Sequence, residues 1–306
     1  MTTHNILVEA SGSLVAPYLI KAIKAAGHNC VASDIETHSA GWFLADDFLL
    51  LPKAGTNNLW NEIQDGMDRL NVDIVIPSFD STMLLWASHK HELRDRGIKV
   101  LISDPKTIEV FQDKWVTYNF FLEHELPCAK TSVSPQFPLL KPRRGSGAKD
   151  IKIIQEALDR AQEFEEGFIS QEILQGQEYT VDCLFDGQGK PVYILPRLRL
   201  GVQNGKSTGG MVVKHAGIDA LVRRLSSNIP LVGPVNIQLF EDGNKLSLVE
   251  VNPRVAGGMA LGFKATENWV PLFLDILNDQ RVTPGPVDWG LRMARGYEEF
   301  YFKNEK

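Results

Sequence analysis

Leu246-Ser247-Leu248-Val249-Glu250-Val251-Asn252-Pro253-Arg254-Val255-Ala256-Gly257-Gly258 reads as a strand that ends in chemistry. Leu248, Val249 and Val251 give it the apolar content of a buried strand. Glu250, Asn252 and Arg254 recur at every second position and so project to one face. Pro253 removes a backbone donor and ends the pairing where the polar set finishes. A carboxylate and a carboxamide offer the oxygens that a hard divalent cation takes. A guanidinium beside them neutralises a phosphate that the cation also touches.

The segment before it alternates in the same way, Val235-Asn236-Ile237-Gln238-Leu239-Phe240, and Asp242-Gly243-Asn244 supplies hairpin-turn residues. A turn centred on Gly243 sets Asn236 opposite Glu250 and Gln238 opposite Leu248, with all even-numbered side chains on one face. A four-residue loop would shift the register by one and send Gln238 to the other side. The first register is the expectation. Taken alone, the segment fits equally an ordinary hairpin with a hydrated face and an Asn-Pro turn.

At 306 residues the chain has room for about two domains and a sizeable core. A net charge of −6 argues against nucleic acid or an anionic membrane surface as the main partner. Basic clusters must then be local, which suits small anions. Met1 to Asn5 lacks a signal-peptide pattern, and no apolar run approaches the ~20 residues of a membrane helix. Cys30, Cys128 and Cys183 are scattered, with no Cys-x-x-Cys. Reduced thiols in a cytoplasmic protein are expected, with neither zinc nor a disulfide framework.

Strands at Asn5–Ala10, Asn29–Asp34, Val72–Pro77 and Lys99–Ile102 alternate with helices over Leu14–Ala26 and Asn57–Leu70, the pattern of a doubly wound parallel sheet. A dinucleotide site fails on its fingerprint: G-x-G-x-x-G needs three glycines, and Gly12 stands alone. The strand ends still form a crevice, so Ser11, Gly12, Ser13 and the Ser78-Phe79-Asp80-Ser81 loop are candidates for holding a small substrate. Turn and N-cap chemistry accounts for the same loops equally well.

Helices are expected from Pro105 to Val110 and from Gln112 to near Glu125. Strands over Phe137–Pro142 and Asp150–Ile154 then flank Arg143-Arg144-Gly145-Ser146-Gly147-Ala148-Lys149, a basic hairpin tip. Glycines there let backbone N–H groups approach a phosphate, with cations supplying the counter-charge; a solvated basic turn is the plain alternative. Strands at Phe168–Leu174 and Glu178–Phe185 follow, then Gly201-Val202-Gln203-Asn204-Gly205-Lys206-Ser207. That segment is one residue short of a phosphate-binding G-x-x-x-x-G-K-[ST] loop, and Met211-Val212-Val213 after it reads as a strand, not the required helix. A substrate-side loop next to Arg197 and Arg199 is the better expectation. Helices over Ile218–Asn228 and Ala265–Asn278 and a strand or two between Gly290 and Phe302 complete the chain.

The ordered set Lys114, Lys141 with its glycine loop, Glu172-Ile173-Leu174, Glu178, Gln238, Glu250, Asn252 and Arg254 resembles the ATP-grasp superfamily. It is most similar to one synthetase half of the carbamoyl-phosphate synthase large subunit and to the stand-alone carboxylate-amine ligases related to that half, including the pyrrolysine-biosynthesis type. Each motif is weak alone; their order and spacing carry the resemblance over nearly the whole chain.

The resemblance implies an α/β fold (α+β in the ATP-grasp part). A Rossmann-like domain would span 1–104, a lid subdomain 105–173, and a C-terminal catalytic subdomain with an antiparallel metal-bearing sheet 174–306. It implies ATP and Mg²⁺, with Mn²⁺ as a substitute. Lys114 and Lys141 would contact the phosphates, and Arg143, Gly145, Ser146 and Gly147 would form the lid over them. Glu172, Ile173 and Leu174 would lie at the adenine hinge, with Glu178 on the ribose. Gln238, Glu250 and Asn252 would hold the metal, and Arg254, with Lys141, would face the transferring phosphoryl group. Ser11, Gly12, Ser13, Asp80 and Arg199 remain the substrate candidates.

Two departures limit the resemblance: the chain has room for one synthetase half, and its loop is poorer in glycine than many relatives. The expected function is ATP- and Mg²⁺-dependent joining of a small carboxylate to an amine through an acyl phosphate. Phosphorylation of bicarbonate or carbamate and nucleotide binding without catalysis are the alternatives. No nucleic-acid or membrane partner is expected, and a homodimer is compatible with the sequence.

Overall fold

The computed structural model describes residues 2–145, 150–203, 206–296 and 298–301. Its first layer alternates strands and helices: β1 (Asn5–Val8), α1 (Ala16–Ala25), β2 (Asn29–Asp34), α2 (Ala40–Leu44), β3 (Asp47–Leu50), α3 (Leu59–Arg69), β4 (Ile74–Ile76), α4 (Met83–Asp95) and β5 (Lys99–Val100). The strands form a parallel sheet in the order β3-β2-β1-β4-β5. The run Ile6-Leu7-Val8 is buried throughout because both faces are covered. Ile6 and Val8 pack with Leu19, Ile20 and Ile23 of α1, whereas Leu7 packs with Ile63 and Met67 of α3 and Trp86 of α4. β3, α2 and α4 were not among the elements expected from the sequence.

A helix pair, α5 (Pro105–Gln112) and α6 (Lys114–Glu123), leads into a small sheet. Its strands β6 (Thr131–Ser132), β7 (Leu139–Pro142), β8 (Lys152–Ile153) and β9 (Phe168–Gln171), with α7 (Ala157–Glu163) between the last two, are ordered β6-β9-β7-β8. The β7–β8 hairpin is the one expected around the basic tip. Ser146 and Gly147 of that tip lie outside the described residues.

The remainder builds a six-stranded antiparallel sheet, β16-β15-β10-β11-β14-β17. Its elements in chain order are β10 (Gln177–Phe185), β11 (Pro191–Arg199), β12 (Val202–Gln203), β13 (Lys206–Ser207), β14 (Gly209–Val212), α8 (Ala216–Ser226), β15 (Gly233–Asp242), β16 (Lys245–Asn252), α9 (Ala260–Ala265), α10 (Trp269–Leu277) and β17 (Arg292–Ala294). β12 and β13 pair with each other, so the described residues of the segment resembling a phosphate loop are two short antiparallel strands. The helix expected over 265–278 begins later, as α10 at Trp269, and a separate short helix, α9, ends at Ala265. Thr266 leaves helical geometry at φ −124°, ψ −97°, and the Asn268 side chain accepts the Val270 N–H at 3.0 Å to start α10.

The two faces of this sheet differ. Val181, Cys183, Ile237, Leu239, Leu248 and Val251 pack beneath α8 and the Phe111, Phe120 and Phe121 rings of α5 and α6. Leu184 and Leu195, on the opposite face, join Val255, Met259 and Leu261 in the core shared with α1. The first layer and the C-terminal sheet are therefore held by one continuous apolar body, and the polar residues of the second face lie beside that seam.

The β15–β16 register departs from the expectation in an instructive way. Gly243 (φ +58°) and Asn244 form a two-residue turn, with Asp242 paired to Lys245, Phe240 to Ser247 and Leu239 to Leu248. Continued inward, that register would set Gln238 against Val249 and put Glu250 out of phase. A bulge at Val249 restores the phase: Gln238 faces Glu250 and Asn236 faces Asn252. The even-numbered polar residues do share a face over this part, but through the bulge and with different partners from those expected. Leu248 also bonds outward, its N–H to Pro127 at 2.8 Å and its carbonyl to the Ala129 N–H at 3.0 Å, which covers that stretch of edge strand.

Candidate functional site

Cross-strand pairing lines up the site. Arg197 of β11, Thr180 of β10, Gln238 of β15 and Glu250 of β16 are consecutive partners across four strands, so their side chains share one face. One row along, Asp182, Asn236 and Asn252 are partners in the same way. Pro253 then turns the chain, and Arg254 follows at the strand end.

The lid-side cations come to the same place. Lys141 of β7 is buried and donates to Gln171 Oε1 at 2.9 Å, while Gln171 Nε2 donates to Thr131 Oγ1 at 2.9 Å. Burial lowers the Lys141 pKa to about 8, against the pull of the Glu250 carboxylate and with a further push from the Lys114 ammonium. Those two influences put both groups within electrostatic reach of Lys141. Lys114 starts α6, and its Nζ donates to the Gly145 carbonyl at 2.8 Å. Asp113 caps the same helix by accepting the Trp115 and Val116 N–H groups at 2.9 and 3.3 Å, and it takes both prongs of Arg143 at 3.1 and 2.7 Å. Burial pushes the Asp113 carboxyl up, but these bonds and the Arg143 charge outweigh it and hold the pKa below the usual range. Arg143 is thereby a strut between α6 and the lid strand.

Glu172, Ile173 and Leu174 form the link from the small sheet to the six-stranded one. The Glu172 carboxylate accepts the Lys130 N–H at 2.8 Å and its own N–H donates to the Lys130 carbonyl at 3.0 Å. Among the described residues, the backbones of Ile173 and Leu174 make no hydrogen bond. Glu178 pairs with Arg199. Arg199, a substrate candidate in the sequence, thus sits against the ribose candidate.

Asp80 takes both prongs of Arg254, Nε at 2.6 Å and Nη2 at 2.7 Å. Burial disfavours the Arg254 charge, but Asp80, then Glu250 and Tyr18, hold its pKa above the ordinary value. Ser11, Gly12 and Ser13 are spent locally: Ser11 Oγ bonds Ser39 Oγ at 2.8 Å, the Gly12 N–H donates to Asp34 at 2.6 Å, and Ser13 Oγ accepts the Val15 N–H at 3.3 Å. These three serve the turn and the helix start, whereas Leu14 beyond them approaches Gly257.

Gln238, Glu250 and Asn252 fit a magnesium ion by chemistry. All offer oxygen, and among the described residues none has its side chain in a hydrogen bond or ion pair. No group of three or more His, Cys, Asp or Glu among the described residues could hold a metal alone. Mg²⁺ bound through one carboxylate completes its shell with water and substrate phosphates, which matches this sparse set. Asp182, Asn236, Arg197 and Arg295 belong to the same polar face but were not singled out as site residues. The available signal was Asp182 in the middle of an otherwise apolar strand.

No helix among the described residues is long and apolar enough to cross a membrane. Residues 164–297 match the family model described as ATP-grasp in the biosynthetic pathway with Ter operon, and residues 6–101 match the PylC-like N-terminal domain. A carbamoyl-phosphate synthase from Methanobrevibacter smithii is 28% identical over 226 residues, 61% of this chain and 58% of that protein. The chain thus spans little more than half the length of that relative. Among solved structures, N5-carboxyaminoimidazole synthetase from Staphylococcus aureus, complexed with ADP, superposes with a TM-score of 0.75 at 13% identity, covering 94% of this chain and 81% of that one. The biotin carboxylase domain of 2-oxoglutarate carboxylase from Hydrogenobacter thermophilus, complexed with MgADP and bicarbonate, gives 0.72 at 16% identity, covering 95% and 73%. These two structures share the fold. By family match, residues 164–297 are of the ATP-grasp type and residues 6–101 of the PylC-like N-terminal type, in a chain that is similar in sequence to carbamoyl-phosphate synthase.

Proposed function

We propose that this protein is an ATP-dependent ligase that joins a small carboxylate to an amine. The observation that carries the reading is the cross-strand set Gln238–Glu250 and Asn236–Asn252, with Lys141 in reach of Glu250 and Arg254 at the strand end. Phosphoryl transfer needs in-line placement and cancellation of charge on the phosphate oxygens, and little covalent work from protein. That set is of the right kind.

Lys141 and Lys114 hold the nucleotide phosphates from the lid side. The unpaired backbones of Ile173 and Leu174 suit the adenine edge, and Glu178, once released from Arg199, suits the ribose hydroxyls. Gln238, Glu250 and Asn252 would hold Mg²⁺, which would supply charge neutralisation to the nucleotide phosphates. A substrate carboxylate oxygen attacks the γ-phosphorus, the bond to the bridging oxygen breaks, and ADP leaves. An amine nitrogen then attacks the acyl carbon, inorganic phosphate departs, and the amine gives up a proton. Arg254 stabilises the transferring group, and a closed lid keeps water from the acyl phosphate.

The test is ADP release from MgATP with pairs of candidate acids and amines, bicarbonate included among the acids. Turnover that requires both partners and yields an amide supports ligation. Turnover with bicarbonate alone favours the activity named for the carbamoyl-phosphate synthase relative. ATP binding with no turnover for any pair contradicts both.

A further inference from the structure

The polar face carries a second charged cluster with an unmet hydrogen bond. Arg197 is 2% exposed. Its Nε and Nη2 donate to Asp182 at 3.1 and 3.4 Å. Asp182 also accepts Asn236 Nδ2 at 2.8 Å, so both of its oxygens are engaged. Arg197 Nη1 has no partner among the described residues. A guanidinium is donor-only, and buried donors are rarely left unpaired, so an orphan at this place points to an acceptor oxygen that arrives with a ligand.

A glycine pair and a second arginine complete the cluster. A Cβ on Gly258 would lie 2.0 Å from Arg197 Nη2, so this backbone closes on the guanidinium only as glycine. Arg295 donates to the Gly257 carbonyl. Burial, then the charge of Arg197, holds the Arg295 pKa below its ordinary value. Tyr18, whose hydroxyl donates to the Ala256 carbonyl at 2.8 Å, is the contribution of the first layer to this corner. Asp80 is committed to Arg254 and Asp182 to Arg197, while no ion pair to Arg295 occurs among the described residues. An anion shared by Arg197 and Arg295 would satisfy the orphan donor and relieve the repulsion together.

The position decides which anion. Strands lie about 4.8 Å apart, so Arg197 and Gln238, two strands apart in one row, have Cα atoms roughly 10 Å apart. Lys141 senses Glu250, at the far end of that row, so the nucleotide phosphates belong there and not at Arg197. A planar guanidinium matches a carboxylate in two-pronged fashion, and the span suits one small molecule reaching from this corner toward Arg254.

We propose that Arg197 and Arg295, with the Gly257–Gly258 turn, hold the non-reacting α-carboxylate of an amino-acid substrate, aiming its amine at the acyl phosphate. This rests on the ligase reading, and the test separates the two. The full chain, with Mg²⁺ and a non-hydrolysable ATP analogue, is titrated calorimetrically with L-amino acids, their amides and inorganic phosphate. At least one amino acid should bind, its amide at least tenfold more weakly. Because Arg197 is buried, the half-buried Arg295 carries the mutational test. Arg295→Gln should weaken amino-acid binding about tenfold, leave amide binding unchanged, and be partly rescued by Arg295→Lys. Equal binding of acid and amide, binding of phosphate but no amino acid, or no binding at all overturns the subsite. Parallel ADP-release assays judge the ligase reading by itself. The expected binding pattern without turnover leaves the subsite and removes ligation. Turnover with amines that lack a carboxylate, at equal efficiency, does the reverse.

Discussion

Arg254 and Asp80, 174 residues apart in the chain, meet in a two-pronged ion pair at 2.6 and 2.7 Å. The contact ties the loop after β4 to the end of the metal-candidate strand, so the first layer helps to aim the guanidinium at the site. Asp80→Ala would leave a largely buried charge uncompensated and should lower stability by about 3 kcal/mol, read by denaturant titration. Arg254→Ala, which removes the group proposed to face the transferring phosphoryl, should lower the turnover number about a hundredfold with the fold retained on circular dichroism.

The bulge at Val249 invites a deletion. Without that residue the two-residue turn dictates the register throughout, and Glu250 takes the place opposite Gln238 in an unbroken ladder. Deleting Val249 should therefore retain Mg²⁺-dependent ADP release, whereas inserting an alanine after Val249, which moves Glu250 out of phase with Gln238, should abolish it. Full activity in the insertion would show that the pairing of Gln238 with Glu250 is not needed.

Lys141 sets opposite pH dependences for activity and stability. Its folded pKa of about 8 lies below the ordinary lysine value of 10.5, with burial as the largest cause. The free enzyme loses this cation as pH rises through about 8, so kcat/KM for ATP should fall about tenfold per unit above it. Between the two pKa values the unfolded chain binds more protons, so the same group makes stability rise with pH in that window. Lys141→Arg should flatten both profiles above pH 8, measured by initial rates and by urea midpoints.

Glu9 provides a contrasting titration away from the phosphates. Burial raises its pKa to about 6, although the Ser78 N–H at 3.3 Å and Thr82 Oγ1 at 2.8 Å favour the carboxylate. Here the folded state binds the extra proton between 4.5 and about 6, so this group's contribution to stability falls as pH rises through that window. The stability difference between the wild type and Glu9→Gln should therefore change between pH 4.5 and 6 and level off above it. A constant difference would mean that Glu9 titrates normally.

Period and composition made the doubly wound first layer legible, as the all-buried run Ile6-Leu7-Val8 shows. The alternation of Glu250, Asn252 and Arg254 likewise announced a polar face. What the sequence hid was tertiary. No local pattern marks the Val249 bulge, because it reconciles a tight turn with a face fixed by burial elsewhere. Asp80 read as a substrate candidate in a loop because its ion-pair partner lies 174 positions away. The late start of α10 was missed for a smaller reason: Asn268, read as part of the helix, caps its start instead.

A structure of the chain with Mg²⁺ and a non-hydrolysable ATP analogue tests the central claim most directly. The triphosphate should lie between Lys141 and Lys114 on one side and Glu250 and Asn252 on the other, with a cation touching Glu250 and the γ-phosphate near Arg254. A nucleotide seated at the Ser11–Ser13 turn, or a cation bound away from Glu250, would contradict it.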